Sequence, residues 1–255
     1  MVEKLRKYQF LFEELIKRDF KAKYKRTILG MLWSILSPLL MLTVMAIIFS
    51  NFFGNNIEHY IIYLFSGQIV FNYFTEATNE GMLSLVSNSS IFSKINVPKY
   101  LFLFSKNVVA LINFGIILLI YFIFIALEGI KFNLLFIFLV YPIICLVFIN
   151  LGVGLILSAL FIFFKDIQYL YRLFAQVVMY GSAIFYNIDI IPGQLQNLFY
   201  CNPIFVCITY FRSIVLYNKI PDLRLHLVLM VYALVLFWVG VRVYKKYNYN
   251  FLYYV

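Results

Sequence analysis

Residues 18–50 read RDFKAKYKRTILGMLWSILSPLLMLTVMAIIFS, a dense positive run joined directly to an apolar one. From residue 28 to residue 53 nothing is charged, and a helix of that length reaches about 39 Å, more than the roughly 30 Å hydrocarbon core of a bilayer requires. The stretch reads as a transmembrane helix. Lys17, Arg18, Lys21, Lys23, Lys25 and Arg26 stand just before it. Because lysine and arginine are retained on the cytoplasmic side, the N-terminus is expected inside.

With 64% hydrophobic and 13% charged residues over 255 positions, the chain has more apolar surface than one soluble domain buries. An all-α, polytopic membrane protein is expected. The net charge of +10 would point to nucleic acid only if the basic residues covered a soluble face, and here they cluster at the ends of apolar runs. The first span follows a charged lead and exceeds the roughly 7–15 apolar residues of a signal peptide's core, so it is expected to be retained. Cys145, Cys201 and Cys207 form no metal-ligand pattern with the two histidines and imply no disulfide framework.

Before the first span, Leu5, Tyr8, Phe12, Leu15 and Phe20 recur at near-helical spacing opposite Lys4, Lys7, Glu14, Arg18, Lys21 and Lys25. Residues 1–26 are therefore expected to form an amphipathic basic helix in the cytoplasmic interface, and residues 27–255 the permeation domain. Six spans are expected, at about 28–53, 60–75, 101–127, 132–164, 173–188 and 227–243. Glu76 and Glu80 are read as marking the inner end of the second. Residues 79–100 are too polar to cross, and Pro98 forces Val97 out of helical geometry, so a short helix along the membrane is expected there. Lys106, near the start of the third span, is expected to snorkel. The fourth apolar run exceeds one straight crossing, so tilt, a kink at Pro142 or a projecting end must absorb the excess. Within it, Gly152, Gly154 and Ser158 form a seam where another helix approaches closely.

Residues 189–224 are apolar yet broken by Pro192, Pro203 and Pro221. Neither piece is long enough to cross, and Asn202 before Pro203 reads as an N-cap followed by the first helical position. A re-entrant pair of short outer helices is expected, the second over residues 203–217. With both termini inside, 17 basic residues fall on the cytoplasmic side and four outside, the bias that topology requires. The aromatic tail, Tyr247, Tyr249, Phe251, Tyr253 and Tyr254, suits an interface.

No GxxxxGK[ST], DxD or HExxH pattern occurs, so no catalytic or metal site is expected, and any ATP must be bound by another chain. Glu76 and Glu80 share a helix face, but without a His or Asp nearby they read as solvated carboxylates rather than an acid–base pair. The spans are nearly free of ionisable groups, which argues against a proton relay. They are rich in rings: Trp33, Tyr60, Tyr63, Phe71, Tyr73, Phe74, Tyr180, Phe185 and Tyr186. Most such rings pack or sit at the interface. All but Tyr60 are also candidates to line a path for sugars, whose apolar faces stack on rings and whose hydroxyls meet tyrosine hydroxyls.

The block RDFKAKYKRTILGMLWSILSPLLM resembles the N-terminal signature of ATP-binding-cassette type 2 permeases that export bacterial polysaccharides such as O-antigen and teichoic acid. NVPKY, FFKDIQYL, SAIFYNIDIIP and YCNPIFVCITYFRSIVLYNK extend the resemblance, in order, over nearly the whole chain. It implies a homodimer in the bacterial cytoplasmic membrane, bound to two nucleotide-binding subunits that hold ATP and Mg²⁺. The cargo it implies is an undecaprenyl-diphosphate-linked glycan. It further implies that the N-terminal helix and residues 79–100 rest on the ATPase, with Glu80, Lys94, Lys99, Lys165 and Asp166 as coupling residues, and that the outer hairpin forms the exit. One departure from the resemblance is the plain tail, so no added glycan-recognition domain is expected here and any such recognition is expected of the partner. Two alternatives remain: a membrane-embedded transferase acting on lipid-linked sugar, and a permease for drugs or small lipids on the same scaffold.

Overall fold

The computed structural model describes residues 8–25, 28–54, 57–248 and 251. Every regular element among them is helical: α1 (Gln9–Tyr24), α2 (Trp33–Phe53), α3 (Tyr60–Ser87), α4 (Ser89–Phe92), α5 (Tyr100–Leu127), α6 (Val140–Phe163), α7 (Ile167–Tyr180), α8 (Gly193–Phe199), α9 (Pro203–Val215) and α10 (Leu223–Tyr247). Short 3-10 turns, Gly30–Leu32 and Leu134–Leu139, lead into α2 and α6, and Ile188–Ile190 precedes α8. Leu5, Lys4, Lys7 and Arg26 of the expected interface helix, and Tyr249, Tyr253 and Tyr254 of the tail, lie outside the described residues.

By length and composition, four helical segments are apolar enough to cross a membrane: Gly30–Phe53, Tyr100–Leu127, Leu134–Phe163 and Leu223–Tyr247. The run expected as the fourth span, 132–164, absorbs its excess length in the 3-10 turn Leu134–Leu139, where the Asn133 side chain accepts from the Leu135 N–H at 2.8 Å. Pro142 falls in the first turn of α6, where a proline costs a helix little, so no kink is needed. The final helix starts and ends four residues beyond the expected 227–243.

Two expected spans differ from the structure. The second does not stop at Glu76. Helix α3 continues to Ser87, so Glu76, Asn79 and Glu80 lie inside a 28-residue helix, and only α4 remains of the helix expected over 79–100. A helix so polar is tolerated because it is surrounded: α2, α5, α6 and α9 all pack on it, and 18 of its residues are buried. In α2 only Leu42 is buried. The fifth expected span, 173–188, falls on α7, which ends at Tyr180 after 14 residues, roughly 21 Å of rise. Beyond Gly181 the chain is irregular, with Ala183 in the left-handed region at φ 47°. Side chains from elsewhere take the carbonyls that would have continued the helix. The Asn202 amide donates to Val178 O and Gly181 O at 3.2 and 3.0 Å, and Arg212 donates to Ala183 O and Ile184 O at 2.9 and 3.1 Å.

The bundle is closed by the small-residue seam in α6, used on two sides. A Cβ at Gly152 would lie 2.5 Å from the Leu236 backbone of α10, and one at Gly81 of α3 would lie 3.3 Å from the Gly154 Cα. Helices α8 and α9 form a pair bent by 101°. The Asn202 carboxamide oxygen accepts from the Ile204 N–H at 2.9 Å, capping α9 just ahead of Pro203.

Candidate functional site

The molecule has a basic end, where α1 packs on α5 and the inner turns of α3, and a far end, where α8 and α9 sit. At the basic end Leu15 of α1 is buried in a cluster with Leu85, Phe92, Val97 and Phe102. One turn further along, Asp19 is buried as well. Its carboxylate meets Arg18 Nη2 at 2.7 Å and Lys106 Nζ at 3.7 Å. Lys106 reaches on to Glu80 at 3.1 Å, and Arg18 donates to the Asn88 side chain at 2.6 Å. A second ion pair, Lys23 with Glu76 at 2.7 Å, ties the end of α1 to α3, and Asn113 of α5 donates to the same carboxylate at 2.7 Å. Lys106 therefore does not snorkel; it bridges α1 and α3.

The coupling candidates divide. Lys94 is exposed on the knob that follows α4, and Lys165 and Asp166 are exposed where α6 turns into α7, with the Lys165 ammonium 4.7 Å from the Phe161 ring centre. Glu80 is engaged by Lys106. Lys99 is also engaged: its ammonium donates to Asn248 O at 2.8 Å and lies 5.6 and 5.4 Å from the Phe92 and Phe251 ring centres. Burial there holds its pKa below the ordinary lysine value. No sequence signal near Lys99 marks the whole clamp, since two of its three partners, Asn248 and Phe251, lie at the opposite end of the chain.

Between the two ends, α2, α3, α5 and α7 wall a cleft of about 840 Å³. Trp33, Ser37, Asn72, Tyr73, Asn113 and Gln176 line it, with Lys23, Glu76 and Arg172 toward the basic end. Rings, amides and hydroxyls in one concave surface match the donor, acceptor and stacking needs of a polyhydroxylated chain. The helices flanking it, α2 and α7, turn apolar stripes outward: Leu40, Val44 and Ile47 on one, Leu170, Leu173 and Val177 on the other. Tyr171 of α7 meets the Thr78 hydroxyl of α3 in a short hydrogen bond.

Of the aromatic candidates, only Trp33 and Tyr73 share this cleft. Tyr63, Phe185 and Tyr186 gather instead around the break after α7. The Tyr63 hydroxyl donates to Tyr186 O at 2.7 Å, Tyr60 donates to Phe185 O at 2.8 Å, and Phe185 stacks on Phe49 at 4.9 Å. Phe74 is buried in the core, Phe71 packs against it, and Tyr180 is exposed on α7.

At the centre of that break lies a residue the sequence reading passed over. Arg212 is 4% exposed and has no carboxylate partner among the described residues. Its guanidinium donates to Tyr63 O, Ala183 O and Ile184 O at 3.1, 2.9 and 3.1 Å and to Ser66 Oγ at 3.3 Å, and lies 3.4 Å from the Tyr63 ring centre. Gly67 makes room for it, since a Cβ there would sit 3.0 Å from Nη2. The available signal was a lone arginine inside PIFVCITYFRSIV, because an ionisable group in so apolar a helix has to be held by something.

Residues 11–216 match the family described as ABC-2 type transporter. Over 247 residues, 95% of each chain, the sequence is 25% identical to the O-antigen export system permease protein RfbA of Klebsiella pneumoniae. It is 21% identical over 252 residues to the protein of the same name from Myxococcus xanthus, covering 96% of this chain and 95% of that one. It is 21% identical over 236 residues to the polysialic acid transport protein KpsM of Escherichia coli, covering 91% and 92%.

Proposed function

The chain belongs to the ABC-2 type transporter family, and on that premise we propose that it is the permease subunit of an exporter moving a lipid-linked polysaccharide, of O-antigen or teichoic-acid type, across the bacterial cytoplasmic membrane. The chain is a conduit and not an enzyme; ATP and Mg²⁺ bind a separate nucleotide-binding subunit, present in two copies. The basic end faces the cytosol with both termini. The six crossings are α2, α3, α5, α6, α7 with the segment after it, and α10, and the α8–α9 pair lies at the exit.

The observation that carries this reading is the cleft. It is built from rings, amides and hydroxyls and is flanked by helices with apolar outer faces. A second copy placed across it would complete a lined path whose ionisable groups, Lys23, Glu76 and Arg172, gather toward the basic end. Lys94, Lys165 and Asp166 are exposed for contact with the ATPase, while Asp19, Glu80 and Lys106 pass its movement from α1 into α3.

The test is surface polysaccharide in a deletion strain complemented with variants, alongside co-purification with a candidate nucleotide-binding subunit. Wild type restores surface glycan, Trp33→Ala and Asn72→Leu restore it poorly with ATPase binding intact, and Lys94→Glu loses the ATPase. Surface glycan undiminished in the deletion strain overturns the export reading. Full restoration by both cleft variants overturns the path.

A further inference from the structure

At the far end, α8, α9 and the first turn of α10 enclose a second pocket of about 590 Å³. Thr209, Ser213 and Tyr217 line it from one side, four residues apart and so on one face of α9 and its extension. Asn197 of α8 lines the same pocket, and Lys219 and Arg224 contribute two cations with Asp222 between them in sequence. The Ser213 hydroxyl donates to Thr209 O at 2.8 Å, which leaves its oxygen free to accept. Among the described residues, the side chains of Asn197, Thr209, Tyr217, Lys219 and Arg224 make no hydrogen bond or ion pair.

Lys94 and Lys131 are likewise exposed and without an ion pair among the described residues, but Lys219 and Arg224 line a pocket. Arg18, Lys23 and Lys106 are held by carboxylates, Arg212 and Lys99 by carbonyls, and Lys165, Arg172, Arg242 and Lys246 lie near rings. Lys219 and Arg224 instead share a concave surface with hydroxyl and amide groups. A planar guanidinium and an ammonium beside neutral donors match a phosphate ester carrying hydroxyls. Next to the pocket, Ile220, Leu223 and Leu227 are exposed, an apolar collar along which an alkyl chain would lie.

We propose that this pocket holds the phosphate-bearing, hydroxyl-rich headgroup of a lipid, its tail lying on the collar. The chemistry is independent of the cargo; only its placement at the outer face rests on the orientation proposed above. Two lipids share that chemistry: phosphatidylglycerol from the bilayer, and the polyprenyl diphosphate that would carry an exported glycan.

The test uses the full chain in phosphatidylcholine nanodiscs, titrated separately with phosphatidylglycerol and undecaprenyl diphosphate and read by native mass spectrometry. At least one of them is expected to bind about tenfold or more tightly than phosphatidylcholine, and Lys219→Ala/Arg224→Ala to lose about tenfold in affinity. Asp222→Asn is expected to bind more tightly, since it removes the pocket's one carboxylate. Preference for the diphosphate assigns the pocket to the carrier, and preference for phosphatidylglycerol assigns it to the bilayer. Equal binding of phosphatidylcholine overturns the site, as does undiminished binding by the double variant when its thermal midpoint matches wild type. Orientation is read separately with a membrane-impermeant maleimide, because Cys201 is exposed at this end while Cys145 and Cys207 are buried. Labelling from the cytosolic side alone would refute the orientation and leave the lipid result standing.

Discussion

The two ends of the molecule are held by opposite means. At the basic end, long side chains trade charge between helices, and most are partly wet: the Arg18, Glu80 and Lys23 side chains are 43%, 43% and 39% exposed. At the far end one dry arginine grips backbone carbonyls. Exposed ion pairs contribute only about 0–1 kcal/mol each and have water as an alternative partner, so, the buried Asp19 apart, the charges let α1 shift against α3 and α5 at small cost. Carbonyls have no such freedom. If Arg212 leaves, Ile184 O loses its side-chain donor and Tyr63 O and Ala183 O keep only the Ser66 and Tyr63 hydroxyls, and each hydrogen bond lost to a charged group costs about 1.5–3 kcal/mol. The end proposed to meet the ATPase is therefore adjustable, and the far end is pinned to α3.

The sharpest way to break that contrast is Arg212→Leu. Replacing a buried charge by a hydrophobe is often harmless when its partner can be replaced too, but the partners here are main chain. We expect a loss of at least about 3 kcal/mol, seen as a lowered thermal midpoint in detergent. Arg212→Lys should recover part of it, since an ammonium satisfies fewer of the carbonyls. An Arg212→Leu protein that melts with wild type would mean that the break after α7 is not pinned.

Next in size is Gly152→Ala, which tests whether the seam transmits movement between the ends. The added Cβ meets the Leu236 backbone at 2.5 Å, which cannot rotate away as a side chain would. Helices α6 and α10 must separate, at about 1–3 kcal/mol, and surface glycan should fall with the thermal midpoint. Gly115→Ala, with nothing within 4 Å of its Cβ, is the control and should be silent. A Gly152→Ala protein that is equally silent would show that the close approach is dispensable.

These sites also mark what was legible in the sequence. The glycine seam, the start of α9 at Asn202 and Pro203, and the bent α8–α9 pair were readable because their signals are local: residue size, cap chemistry and proline spacing. The full length of α3 was not. Glu76 and Glu80 look like the end of a helix, and Lys23, Asn113 and Lys106, brought in from other helices, are what engage them within it. Helix α7 is short because Asn202 and Arg212 take its next carbonyls, and nothing between residues 173 and 188 announces that. Of the cleft, Trp33 and Tyr73 could be chosen by residue type, but their separation from Tyr63 and Phe185 is a matter of packing.

A smaller effect is expected from Asp19→Asn at the basic end. It removes the charge that Arg18 and Lys106 share, yet both cations keep other partners in Asn88 and Glu80. We expect about 1 kcal/mol, shrinking as salt is raised, with ATPase stimulation by cargo reduced more than folding. A loss as large as that of Arg212→Leu would erase the distinction between the ends.

The smallest effect concerns Lys99, which belongs to the basic end but is held in the manner of the far end, by a carbonyl and two rings. Burial lowers its pKa from the ordinary 10.5, so the folded chain gives up this proton more readily than the unfolded one. Below the folded pKa both states carry the charge, and the folded state bears the full desolvation penalty. That penalty is relieved as pH rises from the folded pKa toward 10.5, so stability relative to Lys99→Met should increase across this alkaline window. Measuring both proteins at each pH cancels the titration of the tyrosines they share. A difference that stays flat or falls with pH would show that Lys99 is as wet as its neighbour Lys94, and that the tail does not clamp the turn entering α5.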